Sequence, residues 1–192
     1  MMMNPVIMLL AAYGLGCLST AYLLIRLQHG QDIRTLGSGN AGARNAGRHF
    51  GSKTFAAIFI GDAGKAVLAV YAASWFTDSR TVLYMVLLAV VAGHVYPVFL
   101  RFRGGKGMSP FAGGALALDW RVFLGMLGLA LVLLLVFRRF TPAGLIAIVT
   151  YPFFIYGVEL SRAGALLGGL TVLLILFAHR SNIKEMIRGG AG

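Results

Sequence analysis

Residues 108–119 read MSPFAGGALALD, twelve residues lying between the basic loop RFRGGKG (101–107) and a further apolar run that begins at Val122. An α-helix rises about 1.5 Å per residue, so this segment reaches well short of the ~30 Å hydrocarbon core of a bilayer. It either crosses as a short span or turns back as a re-entrant half-helix, and everything after it changes sides accordingly. Six other apolar runs surround it: Pro5–Leu27, Phe55–Phe76, Val82–Leu100, Val122–Phe137, Ala143–Val158 and Ala163–Ala178. If all seven cross with the N-terminus outside, thirteen basic residues face inward against three outward (Arg80, Arg121, Arg162); a re-entrant segment gives ten against six. Cytoplasmic loops carry the excess of Lys and Arg, which favours seven spans, N-out and C-in. The expected fold is an all-α, polytopic membrane bundle forming one domain over residues 1–192, with the last three 16-residue runs short for a span.

Composition supports the bilayer as solvent. Hydrophobic residues make up 58% of the 192 and charged residues 12%, about half the share usual in a soluble globule. The net charge of +11 does not point to nucleic acid, because the cations fall between apolar runs rather than along a polar face. Membrane lipids and phosphorylated metabolites are the partners it suits. The first run has no basic segment before it and no small-residue cleavage site after it, so it reads as a retained span. One cysteine, Cys17, allows neither a disulfide framework nor a thiolate metal site. Glycine, at 26 residues, suits helices that pack closely in lipid.

Three polar stretches would share the inner face. Gly37–Gly51, GSGNAGARNAGRHFG, sets five glycines among Ser38, Asn40, Asn45, Arg44 and Arg48. Glycine permits close backbone approach, so successive N–H groups can form an anion nest; a flexible connector is the alternative. The spacing is not that of a Walker loop and no strand precedes it, which argues against nucleotide binding. Gly93–Gly107, GHVYPVFLRFRGGKG, surrounds Lys106 with Gly104, Gly105 and Gly107, and Arg101 is expected to be a helix-end anchor. HRSNIKEMIR, from His179 to Arg188, offers a histidine whose ordinary pKa suits proton transfer. Within the spans, Asp62 and Lys65 lie three residues apart on one helix face and are expected to neutralise one another and brace the bundle. No histidine is followed five positions later by aspartate, and the six acidic residues are scattered, so neither a His-x4-Asp acyltransferase pair nor a metal cluster is expected.

Together GSGNAGARNAGR, GHVYPVFLRFRGGKG and HRSNI resemble the three motifs of the bacterial acyl-phosphate:glycerol-3-phosphate acyltransferases, in order and spacing, over essentially the whole chain. The resemblance implies transfer of a fatty acyl group from acyl phosphate to the sn-1 hydroxyl of glycerol 3-phosphate, giving lysophosphatidic acid and phosphate. No metal and no cofactor would be needed, and the site would face the cytoplasm from the bacterial inner or plasma membrane. It further implies a catalytic set of Ser38, Asn45, Arg48, Lys106, His179 and Asn182. Substrate contacts would come from Gly37, Gly39, Asn40, Gly42, His94, Arg103, Gly104, Gly105, Gly107, Thr141 and Arg180. Arg44 stands where the family usually has threonine and Ala191 where it usually has glutamate, so neither inherits a role; Thr141 keeps the hydroxyl of a usual serine. The competing class is a transporter of an anionic solute, which would be expected to place its polar site near midplane between internal repeats.

Overall fold

The computed structural model describes residues 3–188, so Ala191 lies outside the described residues. Every regular element among them is helical: α1 (Pro5–Cys17), α2 (Thr20–His29), α3 (Ala43–Phe50), α4 (Ser52–Ser74), α5 (Arg80–Val95), α6 (Met108–Leu118), α7 (Trp120–Phe137), α8 (Phe140–Val149), α9 (Tyr151–Glu159), α10 (Arg162–Ala178) and α11 (Arg180–Ile187). Five stretches are long and apolar enough to cross a membrane: Pro5–His29, Ser52–Ser74, Arg80–Leu100, Trp120–Phe137 and Phe140–Glu159. The pair α10 and α11, bent by 65°, makes a sixth if taken together. Helix α6 is 11 residues long. Side chains such as Leu10, Leu135 and Phe153 point outward at 67%, 78% and 73% exposure, as lipid-facing residues do in a multi-pass membrane protein.

The later spans are longer than the apolar runs suggest. Helix α7 has 18 residues, Phe140–Glu159 has 20 and α10 has 17, because Trp120, Arg121, Phe140, Thr141, Glu159 and Arg162 continue the helices past their apolar cores. Gly37–Gly51 is likewise not one loop, since residues 43–50 wind into α3.

Small residues set the packing. A Cβ at Gly16 of α1 would overlap the Val90 carbonyl of α5, and one at Gly93 would overlap the Tyr13 carbonyl, so these helices cross backbone to backbone. Gly113 does the same for α6 against Ala63 of α4.

The first span is broken at Leu18–Ser19, and the buried pair on α4 closes the break. Lys65 Nζ donates to the carbonyls of Gly16 (3.0 Å) and Leu18 (2.6 Å) at the end of α1. Asp62 Oδ1 accepts from the amide of Thr20 (3.3 Å), the first residue of α2, and from Lys65 (2.9 Å). Each charge therefore sits at the helix end whose dipole it complements. Ser19 Oγ adds a conventional cap by accepting from Tyr22 N.

The bundle has two unlike ends. At one, Arg80 at the start of α5 donates to the Leu118 carbonyl at the end of α6 (2.7 Å) and pairs with Glu159 at the end of α9. At the other, Lys106 just before α6 donates to Asn182 just after α10, and Arg44 of α3 donates to Thr141 of α8.

Candidate active site

A cavity of about 300 Å³ opens at this second end. Its mouth is polar, with Asn40, Arg44, Lys106, Thr141 and His179, and its walls are apolar side chains of α4, α6, α7 and α8.

Two helices begin at the mouth, α3 after Gly42 and α6 after Gly107, and neither N-terminus has a side-chain cap. The first amides of a helix have no intrahelical acceptor and carry the positive end of its dipole. Two such ends beside Arg44 and Lys106 suit an anion such as a phosphate. Gly107 takes φ +87°, a left-handed conformation open to glycine, as the chain turns into α6.

The glycine loops contribute otherwise than as the expected nests. The amides of Gly104 and Gly105 donate to the carbonyls of Val95 (3.2 Å) and His94 (3.0 Å), so they are not available to a ligand. A Cβ at Gly105 would overlap the His94 imidazole, so this glycine is needed for packing. Asn45 is also a correction. Its amide nitrogen lies against the carbonyls of Ile33, Leu36 and Asn40 (3.3, 3.0 and 3.1 Å), and its oxygen accepts from Ser38 N, so a 3%-exposed side chain holds the first loop in shape and has no free donor. Gly37, at φ +51°, lets the loop pass over Asn45 and His49.

Of the other sequence-predicted residues, the cavity gathers Asn40, Gly42, His94, Lys106, Gly107, Thr141 and His179, with Asn182 joined through Lys106. Gly37, Ser38 and Gly39 lie on the outer part of the first loop and Arg48 is exposed on α3, all outside the cavity lining. Arg103 is set apart, in a shallow basic depression with Asp32, Arg34 and Arg101. Arg180 is exposed, its guanidinium 4.8 Å from the Phe177 ring. Arg44 and Ser109 line the cavity and were missed. Arg44 departs from the family pattern, although its position two residues after the cap glycine of a helix is itself a signal. Nothing in the sequence around Ser109 marked it.

The electrostatics follow from this crowding. Burial pushes the Lys106 ammonium below the ordinary lysine value, Glu185 opposes this, and Arg44, Arg48 and Arg180 push it further down. His179 is lowered by burial, against the bond to Ile175, and by Lys106 and Arg44. Its Nδ1 lies 2.9 Å from the Ile175 carbonyl, which can only accept. Nδ1 therefore carries the proton and Nε2 is left with a lone pair. His94 Nδ1 lies 3.1 Å from Lys65 Nζ, whose three protons also face the carbonyls of Gly16 and Leu18 and the Asp62 carboxylate, so His94 is packed into the buried polar cluster behind the cavity. Asp62 Oδ1 is 3.6 Å from that Nδ1, beyond hydrogen-bond reach.

Comparison with known proteins adds the lineage. The profile of the glycerol-3-phosphate acyltransferase family matches residues 6–189. The chain belongs to that family. Among curated relatives, glycerol-3-phosphate acyltransferase 1 of Bacillus cereus (strain ATCC 14579) is 42% identical over 172 residues, 90% of this chain and 94% of the relative. Glycerol-3-phosphate acyltransferase 1 of Desulfitobacterium hafniense (strain Y51) is 43% identical over 187 residues, covering 96% and 92%. The solved structure of PlsY (YgiH), an integral membrane glycerol 3-phosphate acyltransferase in its glycerol 3-phosphate form, superposes with a TM-score of 0.89 at 30% identity, over 98% of this chain and 94% of that one. Its lysophosphatidic acid form gives 0.87 at 29%.

Proposed function

We propose that this acyltransferase moves a fatty acyl group from acyl phosphate to the sn-1 hydroxyl of glycerol 3-phosphate, releasing lysophosphatidic acid and inorganic phosphate. The observation that carries the reading is one cavity whose apolar walls lead into a mouth where Lys106, Arg44 and two uncapped helix starts converge. A long-chain acyl phosphate has the same polarity, an apolar tail ending in a dianionic head. The relatives' names supply glycerol 3-phosphate as acceptor.

The glycerol 3-phosphate hydroxyl oxygen attacks the acyl carbon, and the bond from that carbon to the bridging phosphate oxygen breaks. The hydroxyl proton goes to a donor phosphate oxygen, or in its place to a side-chain base, His94 or His179, a role worth about 10² to 10⁴ in rate; both histidines line the cavity, and His179 Nε2 carries a free lone pair. The mixed anhydride arrives activated, so no enzyme nucleophile is required. Lys106, Arg44 and the amides of α3 and α6 stabilise the charge that grows on the oxyanion and the leaving phosphate, each aimed donor contributing about 10² to 10³. Asn182 orients Lys106, while Asn45, Gly104 and Gly105 fix the loops. The proposed reaction uses no metal or cofactor.

Seven passages with the N-terminus outside and the mouth toward the cytoplasm complete the reading. What supports a passage by α6 is that its start meets α10's end at the mouth while its last carbonyl meets Arg80 at the opposite end. Single cysteines at Arg103 and Glu185 should then label from the cytoplasm and those at Ser79 and Ser161 from outside. Labelling of the Ser161 variant from the cytoplasm and of the Glu185 variant from outside would show that α6 turns back and would remove the topology.

The activity test is to incubate purified protein with acyl phosphate and glycerol 3-phosphate, with chelator and without coenzyme A. Lysophosphatidic acid and phosphate should appear in equal amounts. Product from acyl-CoA but not from acyl phosphate would reject the donor.

A further inference from the structure

The apolar wall of the cavity has a regular side. Helix α7 contributes Phe123, Met126, Leu127, Ala130, Leu131 and Leu134, spaced by three and four residues, so one stripe of the helix lines the space from end to end. Leu134 is the rung nearest the mouth, since α7 ends at Phe137 and α8 begins at Phe140, beside the Thr141 that Arg44 contacts. Phe123 is the farthest. Opposite, Phe111 lines the same space and is braced edge-on against the buried Tyr151, ring centroids 4.8 Å apart.

We propose that this stripe of α7 is a ruler for the acyl chain, with Phe123 as its stop and Ala130 and Met126 as intermediate marks. The inference rests on the acyl-phosphate reading and adds the length of the substrate. The eleven steps from Leu134 to Phe123 span about 16 Å at ~1.5 Å per residue. An extended alkyl chain advances about 1.25 Å per carbon, from ~1.52 Å bonds at staggered torsions, so the stripe accommodates about 14 carbons. One helical turn of ~5.4 Å corresponds to about four carbons. The small Ala130 leaves the middle of the channel open, and Gly144 on α8 adds room nearer the mouth, with only Met108 Cε, at 3.4 Å, near a Cβ built there.

The experiment is a competition among saturated acyl phosphates of 8 to 18 carbons, spaced by about half a turn of α7, with glycerol 3-phosphate saturating and products separated by chain length. The unaltered protein should favour chains of about 14 carbons and lose activity on longer ones by about tenfold within one turn's worth of carbons, the cost of one to three methylenes without room. Phe123→Ala should move the optimum up by two to four carbons, a gain that a damaged fold cannot produce. Met126→Trp should move it down by about four and Ala130→Phe by about eight, following the helical rise. A flat profile in the unaltered protein, or equal losses at every length in all three variants, overturns the ruler while leaving the transferase reading intact, because product still forms. Absence of product at every length overturns the acyl-phosphate reading and the ruler with it.

Discussion

The two ends of this bundle are built from the same residue types and finished in opposite ways. At the end away from the cavity, helices α1, α5, α7 and α10 begin with side-chain caps from Asn4, Ser79, Asp119 and Ser161. Two of its three cations are matched there, Arg80 with Glu159, which also accepts from Tyr84 (2.8 Å), and Arg121 with Asp119 (2.8 Å). At the cavity end, α3, α4, α6, α8 and α11 begin without a side-chain cap. Lys106 and Arg44 there donate to the neutral oxygens of Asn182 and Thr141. One end caps its helices with its own side chains and pairs both of its carboxylates Asp119 and Glu159 with arginines. The other holds helix amides and cations that a dianionic ligand would complete, and the difference identifies the working face more clearly than the number of basic residues does.

The comparison is most exposed at Lys106. Lys106→Ala should lower kcat/KM by about 10² or more, the loss of one aimed donor, whereas Arg101→Ala, in the separate depression, should lower it less than about threefold. Lys106→Arg should recover only part, since a planar guanidinium replaces a compact charge. Equal, modest losses in the two alanine variants would mean the RFRGGKG loop is a basic anchor.

A sharper test converts one end into the other. Gly42 precedes α3 at φ −141°, a conformation any residue adopts. Gly42→Asp would install the carboxylate cap that the opposite end already uses, provided the Asn40 side chain, whose Nδ2 would lie 2.8 Å from the new Cβ, turns aside. We expect thermal stability to hold or rise by a few tenths of a kcal/mol, while kcat/KM falls by about tenfold or more as the carboxylate takes the phosphate's donors. Unchanged activity would show that the α3 terminus is not used.

The pH profile should be a bell whose limbs belong to the cavity end. With His179 depressed, the neutral form that can accept a proton persists below its ordinary 6.5, so the acid limb should lie below that pH. Burial and the neighbouring arginines lower Lys106, so loss of its proton should bring the alkaline limb in below the ordinary lysine 10.5. His179→Gln should remove the acid limb, and an acid limb that survives would assign it to substrate phosphate.

The smallest effect on turnover is expected at the far end. Glu159→Gln keeps the shape but removes the charge facing Arg80, and should cost about 1 to 3 kcal/mol of stability while changing kcat/KM less than about twofold. A large kinetic effect would mean the two ends are coupled.

Much of this was legible in the chain. The apolar runs located the five stretches long enough to cross and the shorter helices α6 and α10, because period and length are local properties, and Asp62 with Lys65 announced a brace by lying three residues apart in an apolar segment. Other features depend on contacts far along the sequence. Arg44 joins the mouth through Thr141, 97 residues away, and looked expendable beside a family pattern. Gly104 and Gly105 looked like a phosphate nest because sequence does not reveal which carbonyl faces an amide. Asn45 looked like a ligand donor for the same reason. The break at Leu18–Ser19 was hidden inside a continuous apolar run, where a lone serine is an inconspicuous signal.

That break has a consequence for how the protein is made. The carbonyls of Gly16 and Leu18 and the amide of Thr20 find their partners on Lys65 and Asp62, 49, 47 and 42 residues later in the chain. Until that segment has left the ribosome, a matter of seconds at roughly 5 to 20 residues per second, a broken first helix at membrane depth would hold unsatisfied polar groups costing several kcal/mol each. The nascent first helix therefore has reason to stay unbroken, or at the bilayer edge, until α4 enters beside it. Its bend would be acquired during assembly, from a partner synthesised after it.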